Sequence, residues 1–456
     1  MKKIFSAILI SFFTTAFCAA QIVYSGSKNY TLVERTDLRR YDNGKYIGLV
    51  SREIRSFICS TKNPAADSYG GNFYDGSFYV DEKTRHDNLA VKRGIHAAVS
   101  STFVICDDGD MIMISDNGYP SFRSFPAFSK DKIKFGDKWS ANAVRAVDPL
   151  NKGKFTKIPM LVEYTYLKDD VFYGEEVYVL SARWATRYNP SVYDFDGDAE
   201  LVKATGSHNA TMNISKKTGA ALVVRDQADE TFFYSDGKQV SFKGSISLFT
   251  EYPPSVETKS LTAALKKVPD ITDDEIQMLT SKWIENKKPE EKNSGSSSSS
   301  AAASSKTEPK EKAGVSPKPS SVIPSQAVPD VPPKNIIVKQ TDAGVMLSIQ
   351  NLRFKSDSAE LLEGEEKRLD EIAAILREIP DNMFLVEGHT ADTGYAKGEL
   401  KLSKERALTV ANELSFRGID GSRFICRGSG ALKPVADNST PEGKALNRRV
   451  EITILE

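Results

Sequence analysis

The chain has 456 residues, with 61 Lys and Arg against 61 Asp and Glu, so its formal net charge is zero. No basic excess is present to hold nucleic acid through phosphate contacts, and 40% hydrophobic residues is ordinary globular content. At roughly 150 residues per domain, the length predicts two or three domains.

Met1-Lys2-Lys3 is a short basic start, and Ile4 to Phe17 is an apolar run too short to span a bilayer. Small residues at Cys18 and Ala20 fit cleavage after Ala20, so residues 1–20 read as a signal peptide. The rival reading, lipidation at Cys18, is disfavoured by bulky Phe17 before it. No later stretch reaches the ~18 apolar residues of a transmembrane helix. Three cysteines follow: Cys59, Cys106 and Cys426. An exported compartment permits a Cys59–Cys106 disulfide, but the sequence does not decide it. The histidines His86, His96, His208 and His389 are scattered without ligand spacing, so no metal or cofactor is expected.

Residues 21–254 read as a β-rich domain, a sandwich or partly closed barrel of one or two subdomains. Asn43-Gly44 between Thr31–Tyr41 and Tyr46–Ile58 is a type I′ hairpin signal. Val99–Cys106 and Met111–Ser115 flank an Asp-Gly turn, and Met160–Leu167 and Glu175–Tyr188 flank Asp169–Gly174. Gly136–Trp139 is a turn into a strand, with Trp139 as a core anchor. Ala220–Asp226, Thr231–Tyr234 and Gln239–Phe249 complete the set. Both faces of Thr31–Tyr41 carry charge, Glu34 and Arg40 on one, Arg35, Asp37 and Arg39 on the other, which argues against a lipid-facing barrel. Asp194–Glu200 alternates carboxylates, but Gly197 comes too early for a calcium loop and Thr205 stands where its last Glu is needed. It reads as an acidic turn.

Residues 255–286 form a helical segment expected to pack on the β-rich domain. Thr272 to Glu275 is a capping box with Ile271 and Ile276 as its staple, and Ile276, Leu279, Trp283 and Ile284 share a face. Residues 287–334 are Ser-rich, then Pro-rich, without aromatics, and read as a flexible linker. From residue 335 strands alternate with helices: a strand at Val345–Phe354, a helix at Glu363–Ile379, a strand at Phe384–Gly388, a helix capped by Ser403, a strand at Arg423–Gly428, a helix opened by Thr440-Pro441, and a strand at Val450–Leu455.

Leu352–Leu361, Glu387-Gly388-His389-Thr390, Leu402–Ala407, Gly418–Arg423, Pro434-Val435-Ala436 and Asn447–Ile452 carry a resemblance. In order and spacing they resemble the OmpA-like peptidoglycan-binding domain. The resemblance covers about a quarter of the chain and implies a β/α sandwich at 335–456 that binds the diamino-acid stem peptide of peptidoglycan. With the signal peptide and the β-rich half, it gives the expectation of an α+β multidomain protein of the cell envelope, periplasmic, with envelope proteins as further partners and, no catalytic motif being found, no enzymatic activity. In the family one Asp accepts from the ligand ammonium and one Arg forks to its carboxylate. Arg406 holds the Arg position; Ala391 stands where the Asp belongs, and Asp392 follows one residue later. Thr390 and Asp357 complete the expected site, and His389 is read as a structural loop residue. The Ala variant with the long N-terminal region is similar to OmpA-like proteins of spirochaetes. Loss of the acid implies weakened, retuned or lost peptidoglycan binding; the alternative is a scaffold without wall binding. No catalytic motif is present.

Overall fold

The computed structural model describes residues 20–26, 29–61, 68–85, 98–190, 197–269, 271–286, 336–350 and 352–456. The signal segment, apart from Ala20, and the 287–334 linker lie outside them.

Among the described residues, twelve strands form one antiparallel sheet. In chain order they are β1 (Tyr30–Asp42), β2 (Lys45–Ser60), β3 (Gly71–Arg85), β4 (Val99–Cys106), β5 (Met111–Ser115) and β6 (Phe122–Arg123), followed by β7 (Lys138–Val147), β8 (Thr156–Phe172), β9 (Glu175–Tyr188), β10 (Leu201–Ser215), β11 (Ala221–Tyr234) and β12 (Gln239–Glu251). Sequence neighbours pair except β5 with β6, and β1 pairs with β12. The sheet therefore closes everywhere except between β5 and β6. Loop contacts bridge that gap: Met111 N donates to Ser124 Oγ (3.0 Å), and Phe128 N donates to the Asp108 carbonyl (2.7 Å). This is the partly closed barrel, not the sandwich.

Turn chemistry sets the register. Asn43 and Gly44 have φ of 49° and 79°, as a type I′ turn requires. The break expected at Asp169–Gly174 shrinks to Tyr173-Gly174, because β8 continues through Asp169 and Asp170 to Phe172. Ala220–Asp226 and Thr231–Tyr234 are one strand, β11, since its polar residues Asp226 and Glu230 point inward and are paired there. Strands β3 and β10 carry too many Gly, Ser, Asn and Asp residues to stand out by propensity.

The barrel interior is layered. An apolar layer surrounds Tyr164, Trp184 and Met212. Beside it lies a charged belt. Arg145 Nη1 donates to Glu230 Oε2 (2.5 Å) and Thr186 Oγ1 donates to Glu230 Oε1 (2.7 Å). His208 stacks on Trp184 and places Nδ1 2.6 Å from Asp226 Oδ2 and Nε2 2.9 Å from Glu230 Oε1. Burial alone would lower the His208 pKa; the two carboxylates outweigh it and raise it above its ordinary value. Burial likewise opposes Glu230 ionisation, and the Arg145 charge outweighs it, holding the carboxyl well below its usual range.

Two helices follow the barrel, α1 (Thr258–Leu265) and α2 (Asp273–Asn286). The capping box forms: Glu275 N donates to Thr272 Oγ1 (3.2 Å) and Thr272 N to Glu275 Oε2 (3.0 Å). The expected seat on the β-rich domain is corrected. Val256, Leu261, Leu265, Ile276 and Trp283 are buried in the core of the C-terminal domain, and Trp283 Nε1 donates to Glu456 Oε2 (2.7 Å). An amphipathic stripe reports that a face is buried, not against what. Ile284, expected on that face, is exposed.

The C-terminal domain comprises β13 (Ile336–Thr341), β14 (Gly344–Gln350), α3 (Glu366–Arg377), β15 (Phe384–Gly388), α4 (Ala396–Phe416), β16 (Phe424–Gly428), α5 (Pro441–Asn447) and β17 (Arg449–Leu455). The strand order is β13-β14-β17-β15-β16, with β15 and β16 parallel. Helices α3 and α4 pack one sheet face with Leu376, Ala407 and Leu414. The other face is not open: Leu385, Ile425 and Leu455 meet Phe57 and Cys59 of the barrel wall. Arg427 staples this contact, donating from Nη1 to Asp75 and Ser77 (3.1 Å each) and from Nη2 to Glu387 (2.9 Å). Cys59, Cys106 and Cys426 are free thiols, with Cys59 buried in the interdomain contact and Cys426 in the C-terminal core. Of the acidic turn, Asp198 is buried and pairs with Lys152 Nζ (2.8 Å), while 191–196 lie outside the described residues.

Candidate functional site

Helix α4 and the loop after β15 build the site. Helix α4 lies so close to the sheet that a Cβ on Gly388 would sit 2.0 Å from the Ser403 carbonyl, and one on Gly428 2.4 Å from Lys404 N. Only glycine fits either contact. Ser403 is therefore not a cap. It lies inside α4, fully buried, where its hydroxyl donates to the Leu400 carbonyl (2.9 Å) and accepts from Gly430 N (2.9 Å). Fixing α4 by Ser403 fixes Arg406 one turn on.

Arg406 is 8% exposed and reaches under Phe354, its guanidinium carbon 4.8 Å from the ring centroid. Its Nε donates to the Ser358 carbonyl (3.1 Å). Among the described residues no carboxylate forms an ion pair with it. Burial, then the nearby Arg448 charge, push its pKa down from the ordinary value; Asp357 opposes this only in part. Arg406 lines a cavity of about 230 Å³ with Phe354, Leu362, His389, Arg448 and Arg449. Two of its cations are neutralised already: Arg353 pairs with Glu365 (2.6 Å) and Arg449 with Glu451 (2.7 Å). Arg406 and exposed Arg448 are left facing the same space. Such a pocket suits an anion that two guanidinium groups can fork.

The other expected residues do not join it. Ala391 is buried, with no acid to offer. Asp392 is exposed, its Oδ1 accepts from Gly394 N (2.9 Å) in a local turn, and it does not line the cavity. Thr390 is buried, and its Oγ1 has no hydrogen-bond partner among the described residues. Asp357 is exposed, at φ 50°, and borders a neighbouring acidic hollow with Glu360 and Glu405.

Two contributors were not anticipated. Arg448 sits in the Asn447-Arg448-Arg449 run, which was legible as a motif but not as a second cation of the pocket. His389 lines the cavity, its Nε2 3.3 Å from Glu451 Oε2 but outside hydrogen-bond geometry. Donor atoms of Glu387, His389 and Glu451 lie within 4.8 Å of one another. The carboxylates are already held by Arg427, Lys433 and Arg449, so the cluster is a balanced ionic network, not a metal centre. Burial opposes Glu387 ionisation, but Arg427 and Lys433 hold the carboxyl well below its usual range.

Residues 353–448 match the OmpA family. The chain is 39% identical over 120 residues to the probable lipoprotein YiaD of Escherichia coli (strain K12), across 26% of this chain and 55% of that protein. It is 38% identical over 103 residues to the peptidoglycan-binding protein ArfA of Mycobacterium tuberculosis (strain ATCC 25618 / H37Rv), across 23% of this chain and 32% of that protein. The chain thus spans about half the length of the first relative and a third of the second. Among solved structures, an outer membrane protein from Borrelia burgdorferi B31 aligns at 34% identity and a TM-score of 0.23, covering 26% of this chain and 97% of that one. No helix among the described residues is long and apolar enough to cross a membrane. The helix-backed sheet, the cationic pocket beside α4 and the sequence match fall on the same residues, and the C-terminal domain of this chain belongs to the OmpA family.

Proposed function

We propose that this is an exported cell-envelope protein, periplasmic, whose OmpA-family domain takes the stem peptide of peptidoglycan by its carboxylate alone. The observation that carries the reading is Arg406: buried, without a carboxylate partner among the described residues, and lining a cavity with Arg448. Arg406 and Arg448 fork the carboxylate, while position 391 leaves the ligand ammonium without an acceptor. The missing charge-assisted bond costs about 1.5–3 kcal/mol, a tenfold to hundredfold weakening. Kinship with a protein named for peptidoglycan binding supports the ligand class.

The test is co-sedimentation of the full chain with purified diaminopimelate-type peptidoglycan. The full chain is needed because α1 and α2 complete the C-terminal core. Partial pelleting is expected, lost in Arg406→Ala and strengthened about tenfold or more in Ala391→Asp. Pelleting of Arg406→Ala equal to the parent overturns the reading. Buried Ala391 and the outward turn of Asp392 favour a second reading, a scaffold domain without wall binding. Under it the parent stays in the supernatant and only Ala391→Asp pellets.

A further inference from the structure

The barrel holds a chamber that the OmpA-family pocket does not touch. It encloses about 290 Å³ at the end where β1 begins and β12 ends, close to the lower end of the ~300–1,000 Å³ usual for small-molecule sites. Alternate residues of β1 line it from rim to floor: Tyr30, Leu32, then Glu34. Four residues of strand are about 13 Å. Below the floor lies a second cavity of about 100 Å³, lined by Glu34, Thr36 and Leu38 among others. Glu34 and Ser121 border both, and the Ser121 hydroxyl donates to Glu34 Oε2.

The walls are apolar, with Phe103, Met111, Phe122, Val224 and Leu248. Across the mouth runs the segment Tyr24–Gly26. Tyr24 N donates to the Asp107 carbonyl (2.7 Å), and Ser25 N to the Thr218 carbonyl (2.9 Å), so the segment is strapped to opposite turns of the barrel. Tyr252, 41% exposed, and Lys217 stand at the rim.

Protein interiors are close-packed, and the neighbouring layer around Tyr164 and Trp184 obeys this. A space of this size is thus a local feature of one end. Its walls give ordered water few partners. Its floor does the opposite: Glu34 is 9% exposed, and it shares the lower cavity with Arg52 and Arg145 without forming an ion pair with either. Ser121 donates to Oε2 alone, so the Glu34 carboxyl has room to accept from a further donor.

We propose that this chamber binds a slender apolar ligand whose leading end carries a hydrogen-bond donor, a hydroxyl or an ammonium, received by Glu34. The apolar body occupies the walls between Leu32 and Leu248, and the trailing end emerges between Tyr252 and the Tyr24–Gly26 strap.

The experiment titrates the full chain with the fluorescent probe N-phenyl-1-naphthylamine, then displaces it with 1-octanol, octylamine or octanoate. Saturable probe fluorescence is expected, and octylamine or 1-octanol should displace it at concentrations about tenfold or more below octanoate. The amine and alcohol arms tell which donor is preferred. Glu34→Gln should keep the probe and collapse the preference of octylamine over octanoate. Leu248→Trp, which fills the chamber, should abolish probe binding while circular dichroism and the thermal midpoint stay at parent values. Should that variant misfold, Val224→Phe serves the same purpose. Octanoate displacing as well as or better than octylamine overturns the proposal, since the ligand would then be read at the Lys217 rim. So does absence of saturable binding, or a probe titration unchanged in a folded filled variant.

Discussion

Each half of the molecule holds an arginine largely out of solvent, and the two are treated differently. In the barrel, Arg145 meets Glu230 at 2.5 Å, and Glu230 also faces His208, which faces Asp226. In the OmpA-family domain, Arg406 meets a carbonyl and an aromatic ring, with Arg448 nearby. The first arrangement is closed: every charge is answered within the fold. The second is open: among the described residues no carboxylate pairs with Arg406, and burial and Arg448 both push its pKa down. A buried cation whose neighbours leave its charge uncompensated marks a binding position better than burial or charge alone.

Breaking the closed network gives the largest effect. Arg145→Met leaves Glu230 buried beside Asp226 with one cation fewer, and should lower unfolding free energy by about 3–5 kcal/mol in urea titration. A loss below ~1 kcal/mol would mean that the barrel network is as open as the wall pocket.

The pH response comes next. The folded pKa of His208 is raised, so its stabilising charge is fully present below the unfolded value of ~6.5 and is lost as pH rises through the folded value. Barrel stability should therefore fall on going from mildly acid to alkaline pH. His208→Gln should flatten that slope; an unchanged slope in the variant would assign it to other groups.

The smallest effect sharpens the contrast. Arg406→Met removes no ion pair, so unfolding free energy should stay within about 1 kcal/mol of the parent. The wall-pelleting assay, not the denaturation curve, should register the change. A destabilisation comparable to that of Arg145→Met would make Arg406 a structural cation.

Local chemistry was legible where one short segment decides the outcome. Asn43-Gly44 forms its turn, Thr272 and Glu275 form their box, and Thr440 Oγ1 accepts from Gly443 N (3.0 Å). The OmpA-family motifs were legible for the same reason, as contiguous runs. Contacts distant in sequence were not. Nothing in Val256–Asn286 says that its apolar face belongs to a core that resumes only at Ile336. Polar Asp226 and Glu230 broke the hydrophobic pattern of β11 because the cations answering them, Arg145 and His208, lie on other strands. Half of the site was visible in Arg406 and Ala391. Arg448 was not, because the shared cavity exists only once α4 and the start of β17 are brought together.

The segment 287–334 leaves from the end of α2 and returns at β13, and both elements belong to the same C-terminal core. A loop that departs from and rejoins one body sets no distance between that body and another. The two halves are coupled instead by the Arg427 staple, by Phe57 against Leu385, and by Asn29, which donates to the carbonyls of Asp342 and Glu456. A pull on the Arg406 pocket would accordingly reach the barrel through these contacts, as through a bracket rather than a cord.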